Sequence, residues 1–126
     1  LTLKDLKNAH NAFVFLGDML ELGEAAREMH RRVGMLLATI GVTAVFLQGE
    51  FAEITAAGAL GGGLSDEQIF YLRDDVEESI AHLKKQLRKG DWILVKGSRR
   101  MKMDRIVARI CEDTGIYKTE GKTAAE

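Results

Sequence analysis

The sequence predicts an α/β fold in three layers, with a mainly parallel sheet covered by helices on both faces. Four short runs of apolar residues are typical of strands that are buried on both sides. Longer stretches follow them, and their apolar residues recur every three or four positions, as in amphipathic helices. Strands that alternate with helices through short connections pair in parallel, so the order of the elements predicts the architecture.

The first half of the chain supplies two strands and two helices. Residues 13–16 form an apolar run that ends at a glycine, and residues 44–48 form a second run of the same kind. Residues 24–40 between them predict a long helix, and residues 51–59 predict a shorter one that ends before three consecutive glycines. The apolar stripe expected to face the sheet from the long helix consists of Ala25, Met29, Val33, Leu36 and Ile40.

The second half repeats the alternation. Residues 69–72 and 92–95 predict the third and fourth strands. Asp75 with Glu78 resembles a capping box at the start of the third helix, and Ser98 can cap the fourth. The stripes expected to be buried are Val76, Ile80, Leu83 and Leu87 in the third helix and Met103, Ile106, Val107 and Ile110 in the fourth.

Composition and chain ends narrow the class of protein. With 46% apolar and 29% charged residues and a formal net charge of -1, the 126 residues predict one globular domain, without the basic surface that nucleic acid requires. A single cysteine, Cys111, excludes a disulfide within the chain, favours the cytoplasm and is expected to be buried. Residues 1–11 resemble the end of a helix already under way, which predicts a piece of a longer protein, and residues 115–126 predict a frayed tail.

Two loops are candidates for chemistry because ligands bind beyond the carboxyl ends of strands in parallel sheets. Residues 17–23, here called the acidic loop, follow the first strand and carry Asp18 and Glu21. Two carboxylates there suit a substrate ammonium or a cation. The alternative, favoured by spacing alone, is that Asp18 caps a helical turn and Glu21 is solvated.

The second candidate, here called the basic loop, consists of residues 96–100 after the fourth strand. Gly97 permits close approach of the backbone, and Ser98 lies at a helix start with free N–H groups. Lys96, Arg99 and Arg100 add positive charge, so the loop suits a carboxylate or a phosphate. A capped helix with exposed basic residues explains the same pattern equally well.

Other sites are weaker. His10, His30 and His82 lie far apart without a partner at metal-ligand spacing, so we expect no metal site. His30 could face the acidic loop at Asp18 or be an exposed helix residue, and the exposed position is the favoured interpretation. An acid after the first strand and a lysine after the last also occur in phospho-receiver domains. Such domains need an acceptor aspartate at the end of a central strand, and Asp74 resembles a cap instead.

The amino-acid sequences of the two loops resemble those of the C-terminal domain of bacterial Mur ligases. The resemblance covers residues 13–110 and rests on two motifs in the right order, Leu-Gly-Asp-Met-Leu-Glu-Leu-Gly-Glu at 16–24 and Val-Lys-Gly-Ser-Arg at 95–99. His30, Met101 and Met103 also fit. Within this family the sequence resembles in particular the ligases that join D-alanyl-D-alanine to UDP-N-acetylmuramoyl-tripeptide.

The resemblance implies a Rossmann-like domain that closes over the active site of a three-domain, ATP-dependent, amide-forming ligase of peptidoglycan precursor synthesis. In such enzymes the central domain binds ATP and Mg²⁺, and the first domain binds the uridine nucleotide. Carried over by motif, the substrate-binding residues are Asp18, Met19, Glu21, Leu22, Lys96, Gly97, Ser98 and Arg99. None of them is expected to be catalytic.

The sequence departs from the family pattern at its start. The first strand of the family domain, with its ATP-contacting Asn-Pro segment, and the central ATP-binding loop are absent from these residues. We therefore expect the chain to be inactive alone, to hold no tightly bound cofactor and to have an exposed sheet edge. The alternative is a non-catalytic α/β ligand-binding or interaction module, which would bind its ligand without companion domains.

Overall fold

A computed structural model describes residues 10–74, 76–98 and 101–115. It contains four strands and four α-helices in strict alternation, as the sequence predicts. They are β1 (Ala12–Leu16), α1 (Ala26–Ile40), β2 (Ala44–Leu47), α2 (Ala52–Gly61), β3 (Ile69–Tyr71), α3 (Val76–Gln86), β4 (Trp92–Lys96) and α4 (Met101–Thr114). Short 3₁₀ turns at Gly23–Ala25 and Asp66–Gln68 lead into α1 and β3. The predictions for residues 1–9 and 116–126 and for Asp75 concern positions outside the described residues.

The four strands form one parallel sheet in the order β3-β2-β1-β4. The chain therefore turns outward from β1 through β2 to β3 and then returns to the other side of β1. Consequently β1 is flanked on both sides, with Phe15 beside Phe46 of β2 and Val95 of β4. Among the described strands, β3 and β4 are the two edges.

The sheet separates two cores. One, here called the aromatic face, packs α3 and α4 on a row of stacked rings from three neighbouring strands, Phe15, Phe46 and Phe70. In α3, Ile80 and Leu83 of the predicted stripe are buried and Val76 is partly buried, and Leu87, just beyond the end of the helix, is buried too. The predicted residues of α4 are all buried. Cys111 is buried here too, as expected.

The other core, here called the glycine face, packs α1 and α2 on the sheet. The two helices approach each other so closely that a Cβ on Gly34 of α1 would collide with the carbonyl of Thr55, and one on Gly58 of α2 with the carbonyl of Arg31. Only glycine fits at such a crossing.

None of the helices in the described ranges combines the length and the hydropathy that a membrane-spanning helix needs.

The predicted apolar stripe of α1 is wrong by one position. The buried residues of α1 are Ala26, His30, Gly34 and Leu37. The predicted Met29 and Leu36 are 39% and 44% exposed, and Val33 and Ile40 lie at the flank of the core. Gly34 makes the closest approach of α1 to α2, so the face that carries it is turned toward the core. The prediction missed this orientation because a glycine carries no hydrophobic signal.

Candidate functional site

The carboxyl ends of β2, β1 and β4 lie side by side and form the floor of the candidate site. The acidic loop leaves β1, the central strand of these three, and the basic loop leaves β4 beside it. The loop of residues 48–51 leaves β2 on the other side. This edge is where parallel sheets offer room for ligands, since helices cover both faces but not the strand ends.

The acidic and basic loops are joined by backbone hydrogen bonds beyond the ends of their strands. The N–H of Gly17 donates to the carbonyl of Lys96 at 2.8 Å, and the N–H of Ser98 donates to the carbonyl of Asp18 at 2.8 Å. Gly97 has a φ of 130°, and a Cβ there would lie 2.8 Å from the nitrogen of Gly17. A glycine is therefore required for the two loops to meet.

Asp18 caps α2, the helix that follows the neighbouring strand β2, and not a helical turn of its own loop. Its carboxylate accepts the N–H of Glu50 at 2.8 Å and the N–H of Phe51 at 2.9 Å, one on each oxygen. These groups precede Ala52, the first residue of α2, where unpaired N–H groups and the helix dipole favour a negative charge. The capping interpretation of Asp18 therefore has direct geometric support, and both of its oxygens are engaged.

His30 is buried, so the expectation that it is exposed is wrong. It is 1% exposed and stacks on Phe51, with ring centroids 4.5 Å apart and planes at 20°. Its Nε2 lies 3.1 Å from the nitrogen of Met19, and its Nδ1 lies 2.7 Å from the carbonyl oxygen of Ala26. The rotation of α1 that the Gly34 contact requires turns His30 inward, toward the acidic loop.

The tip of the acidic loop is free of these contacts. Glu21 is exposed and has a φ of 67°, the only positive φ of a non-glycine residue in the described chain. Leu20 is 48% exposed, while Met19 and Leu22 are half-buried. A non-glycine residue with a positive φ is uncommon, and the carboxylate of Glu21, unlike that of Asp18, lies on an exposed residue.

The described part of the basic loop offers less than its sequence indicates. Lys96 is exposed and supplies a positive charge, but the N–H of Ser98 is already bonded to the acidic loop. Arg99 and Arg100 lie outside the described residues. Among the described residues, no three His, Cys, Asp or Glu side chains lie together as a metal site would need. The described groups do not by themselves make a complete site for ATP and Mg²⁺.

Sequence reasoning missed two residues of this edge, Gln48 and Phe51. Gln48 follows β2, and its Oε1 is buried without a hydrogen-bond partner in the described structure. Phe51 joins the first turn of α2 to His30. The only signal for either was its position after a strand, which the acidic and basic loops share.

A charged cluster on the outer surface of α1 belongs to the helix and not to the site. Glu28 accepts hydrogen bonds from Arg31 and Arg32, one helical turn further on, at 2.6 to 3.0 Å. Hydrogen bonds from Arg31 and then Arg32 lower the pKa of Glu28 to about 2. The hydrogen bond to Glu28 raises the pKa of Arg31 in turn.

Comparison with known proteins identifies a family. The model of the Mur ligase glutamate ligase domain matches residues 1–99. UDP-N-acetylmuramoyl-tripeptide–D-alanyl-D-alanine ligases are similar in sequence: that of Bacillus subtilis is 31% identical over 109 residues, and that of Treponema pallidum is 39% identical over 92 residues. The matches cover 86% and 72% of this chain but only 23% and 19% of those ligases. The chain thus spans about a fifth of the length of these curated relatives.

Solved structures share the fold. The MurF ligase of Thermotoga maritima in complex with ADP superimposes with a TM-score of 0.61 at 24% identity, over 90% of this chain and 25% of that one. The MurF of Acinetobacter baumannii gives a TM-score of 0.63 at 24% identity, over 81% of this chain and 22% of its own. At this level of identity the likeness supports the four-stranded parallel fold alone.

Proposed function

Because the chain belongs to the Mur ligase family through its glutamate ligase domain, we propose that residues 1–126 are the C-terminal domain of an ATP-dependent ligase. The reaction proposed is the joining of D-alanyl-D-alanine to UDP-N-acetylmuramoyl-tripeptide in peptidoglycan precursor synthesis. The observation that carries it is the repeated match, at 30 to 39% identity, to ligases named for that reaction.

The chemistry of such a ligase explains why one edge of the domain would carry both charges. ATP phosphorylates the terminal carboxylate of the tripeptide, giving an acyl phosphate and ADP. The amine of D-alanyl-D-alanine then attacks the acyl carbon, the bond from that carbon to the phosphate oxygen breaks, and the amine loses a proton. A closing domain serves this step by orienting the dipeptide and excluding water.

Within that reaction we assign the exposed Glu21 to the ammonium of the incoming dipeptide. Lys96, exposed on the adjoining loop, is assigned to its carboxylate. Met19, Leu22, Gly97 and Ser98 shape the surface between them, and Arg99 is included from its sequence motif alone. Asp18 acts indirectly in this proposal, because both of its carboxylate oxygens bind the start of α2.

ATP and Mg²⁺ belong to other parts of the proposed enzyme. The described residues at this edge include no phosphate-binding glycine loop after a strand, and Lys96 is the exposed cation among them. We therefore assign ATP to the central domain of the parent protein. The first domain would bind the uridine nucleotide. The chain alone is therefore expected to be inactive, and the parent enzyme to work in the cytoplasm, where ATP is present.

Kinetics in a full-length ligase that carries this domain test the proposal. The unsubstituted enzyme should release phosphate only when both UDP-N-acetylmuramoyl-tripeptide and D-alanyl-D-alanine are present. Glu21→Gln should raise KM for the dipeptide by about tenfold or more, the loss of one charge-assisted hydrogen bond, and leave KM for ATP unchanged.

The matched control is Glu24→Gln, which neutralises another exposed acid three residues further along. It should leave both KM values unchanged. Phosphate release that does not depend on the dipeptide would overturn the proposed function. Unchanged dipeptide kinetics in both Glu21→Gln and Lys96→Ala would overturn the site assignment and leave the function standing.

A further inference from the structure

We infer that His30 positions the acidic loop and that it does so as the neutral tautomer with its proton on Nδ1. A backbone carbonyl can only accept a hydrogen bond, and a backbone N–H can only donate one. Nδ1 faces the carbonyl of Ala26 at 2.7 Å, so it must carry a hydrogen. Nε2 faces the N–H of Met19 at 3.1 Å, so it must offer a lone pair.

No other state of the ring satisfies both neighbours. The opposite tautomer would place a lone pair against the carbonyl of Ala26 and an N–H against the N–H of Met19. The doubly protonated ring would keep the first contact and lose the second. At 1% exposure the ring itself has almost no contact with water, so the N–H of the half-buried Met19 is bonded to the ring only in this tautomer.

The ring also belongs to a closed circuit of contacts. His30 stacks on Phe51, the N–H of Phe51 donates to Asp18, and Asp18 is joined through the chain to Met19, whose N–H returns to His30. Two consecutive residues of the acidic loop are thereby tied to α1 and α2. Removing His30 opens the circuit at two of its contacts.

The consequence for the site is preorganisation of the loop tip. Glu21 follows the tied residues and adopts a strained backbone conformation that the loop must hold. His30 would touch no substrate and would act through Met19. This consequence rests on the proposed function, in which the acidic loop meets the dipeptide, whereas the tautomer itself does not. Holding a loop in its bound form lowers the entropic cost of binding.

Nuclear magnetic resonance of the 126-residue chain tests the tautomer directly. Long-range proton–nitrogen spectra distinguish a ring protonated at Nδ1 from one protonated at Nε2, and the Nδ1–H form is expected for His30. The amide of Met19 should be protected from hydrogen exchange. A ring protonated at Nε2, or an unprotected Met19 amide, would overturn the inference without any substitution.

Two substitutions separate positioning from packing. His30→Leu fills the buried position with an apolar side chain that has no acceptor, so protection of the Met19 amide should fall by about tenfold or more. His30→Gln offers a side-chain carbonyl to the same N–H and should restore part of that protection. Equal protection in the two variants would overturn the role of Nε2. His82→Leu, the control, alters the ring that contacts Phe70 and should leave Met19 unaffected.

In a full-length ligase carrying the domain, His30→Leu should raise KM for the dipeptide and His30→Gln should raise it less. Equal KM values in the unsubstituted enzyme and His30→Leu would overturn the positioning role. A failure of the proposed function has a different signature, because the unsubstituted enzyme would then show no dependence on the dipeptide while the Nδ1–H ring was still observed in the chain.

Discussion

The two faces of the sheet are held together in different ways. On the aromatic face, large side chains interdigitate, and Phe46 stacks between Phe15 and Phe70 at centroid distances of 4.6 and 5.0 Å. On the glycine face, α1 and α2 meet backbone to backbone at Gly34 and Gly58, and the buried residues of α2 are small. One face therefore depends on filled volume, and the other depends on the absence of side chains.

This difference bears on the site. The acidic loop lies at the end of the glycine face, where His30 of α1 contacts its Met19 and its own Asp18 binds the N–H groups that precede α2. Close approach of two helices leaves little freedom to adjust, so we expect the contacts that join the acidic loop to both helices to keep their geometry. Conservative changes should be tolerated on the aromatic face and not at the glycine crossing.

The largest effect is expected from Gly58→Ala. Its methyl group would collide with the carbonyl of Arg31, and the two helices would have to separate. We expect the free energy of unfolding to fall by about 3 kcal/mol, at the upper end of overpacking costs. Urea denaturation followed by circular dichroism measures it. Gly61→Ala in the same helix is the control, since its Cβ would meet nothing within 4 Å; a similar loss there would contradict the crossing.

A smaller loss is expected from Asp18→Ala. It removes both hydrogen bonds that the carboxylate accepts at the start of α2. Helix caps and charged hydrogen bonds of this kind contribute about 2 kcal/mol. Thermal unfolding should show this loss, while Glu21→Gln should change stability by no more than about 0.5 kcal/mol. Equal stabilities of Asp18→Ala and the unsubstituted chain would show that the cap is unimportant.

Leu83→Met on the aromatic face should cost less than about 1.5 kcal/mol, although Leu83 is fully buried. The two side chains have nearly the same volume, and methionine adapts to irregular space. The same urea assay applies. A loss as large as that of Gly58→Ala would mean that both faces are equally intolerant, and the contrast between them would fail.

The smallest effect concerns pH and Glu28 on the outer surface of α1. Its hydrogen bonds from Arg31 and Arg32 lower its pKa from 4.5 to about 2. A carboxylate with a lowered folded pKa stabilises the protein above pH 4.5, and this contribution is lost as the pH falls toward 2. The melting temperature of Glu28→Gln should be slightly below that of the unsubstituted chain at pH 6 and equal to it near pH 2. A constant difference across this range would contradict the pairing.

The contrast between the faces also explains what the sequence could predict. All four strands are continuous apolar runs, and the stripes of α3 and α4 are made of leucine, isoleucine, valine and methionine, so periodicity located them. The stripe of α1 was misplaced because its closest contact is made by Gly34, which hydrophobic patterns do not count. A glycine inside each of two consecutive helices, Gly34 in α1 and Gly58 in α2, is the signal of a close crossing that could have corrected it.

The site was predictable to a different extent. The motifs located both loops, and the rule for parallel sheets placed them at one edge. Asp18 and Glu21 differ because the carboxylate of Asp18 reaches the N–H groups of the loop after β2. The spacing of residues within the acidic loop does not predict which of the two carboxylates makes that contact. The burial of His30 follows from the orientation of α1, so the wrong apolar stripe for α1 led to the wrong expectation that His30 is exposed.

The position of β1 in the sheet has a consequence for synthesis of the protein. Its second neighbour, β4, comes late: the hydrogen bond from Asn11 to Asp91 beside these strands joins residues 80 positions apart. At ribosomal rates of about 5 to 20 residues per second, β1 would wait about 4 to 16 s for that partner. The glycine face can assemble during this interval, because β1, α1, β2, α2 and β3 are consecutive. We expect a chain that ends at residue 90 to show rapid amide exchange on the side of β1 that faces β4, and slow exchange on the side that faces β2.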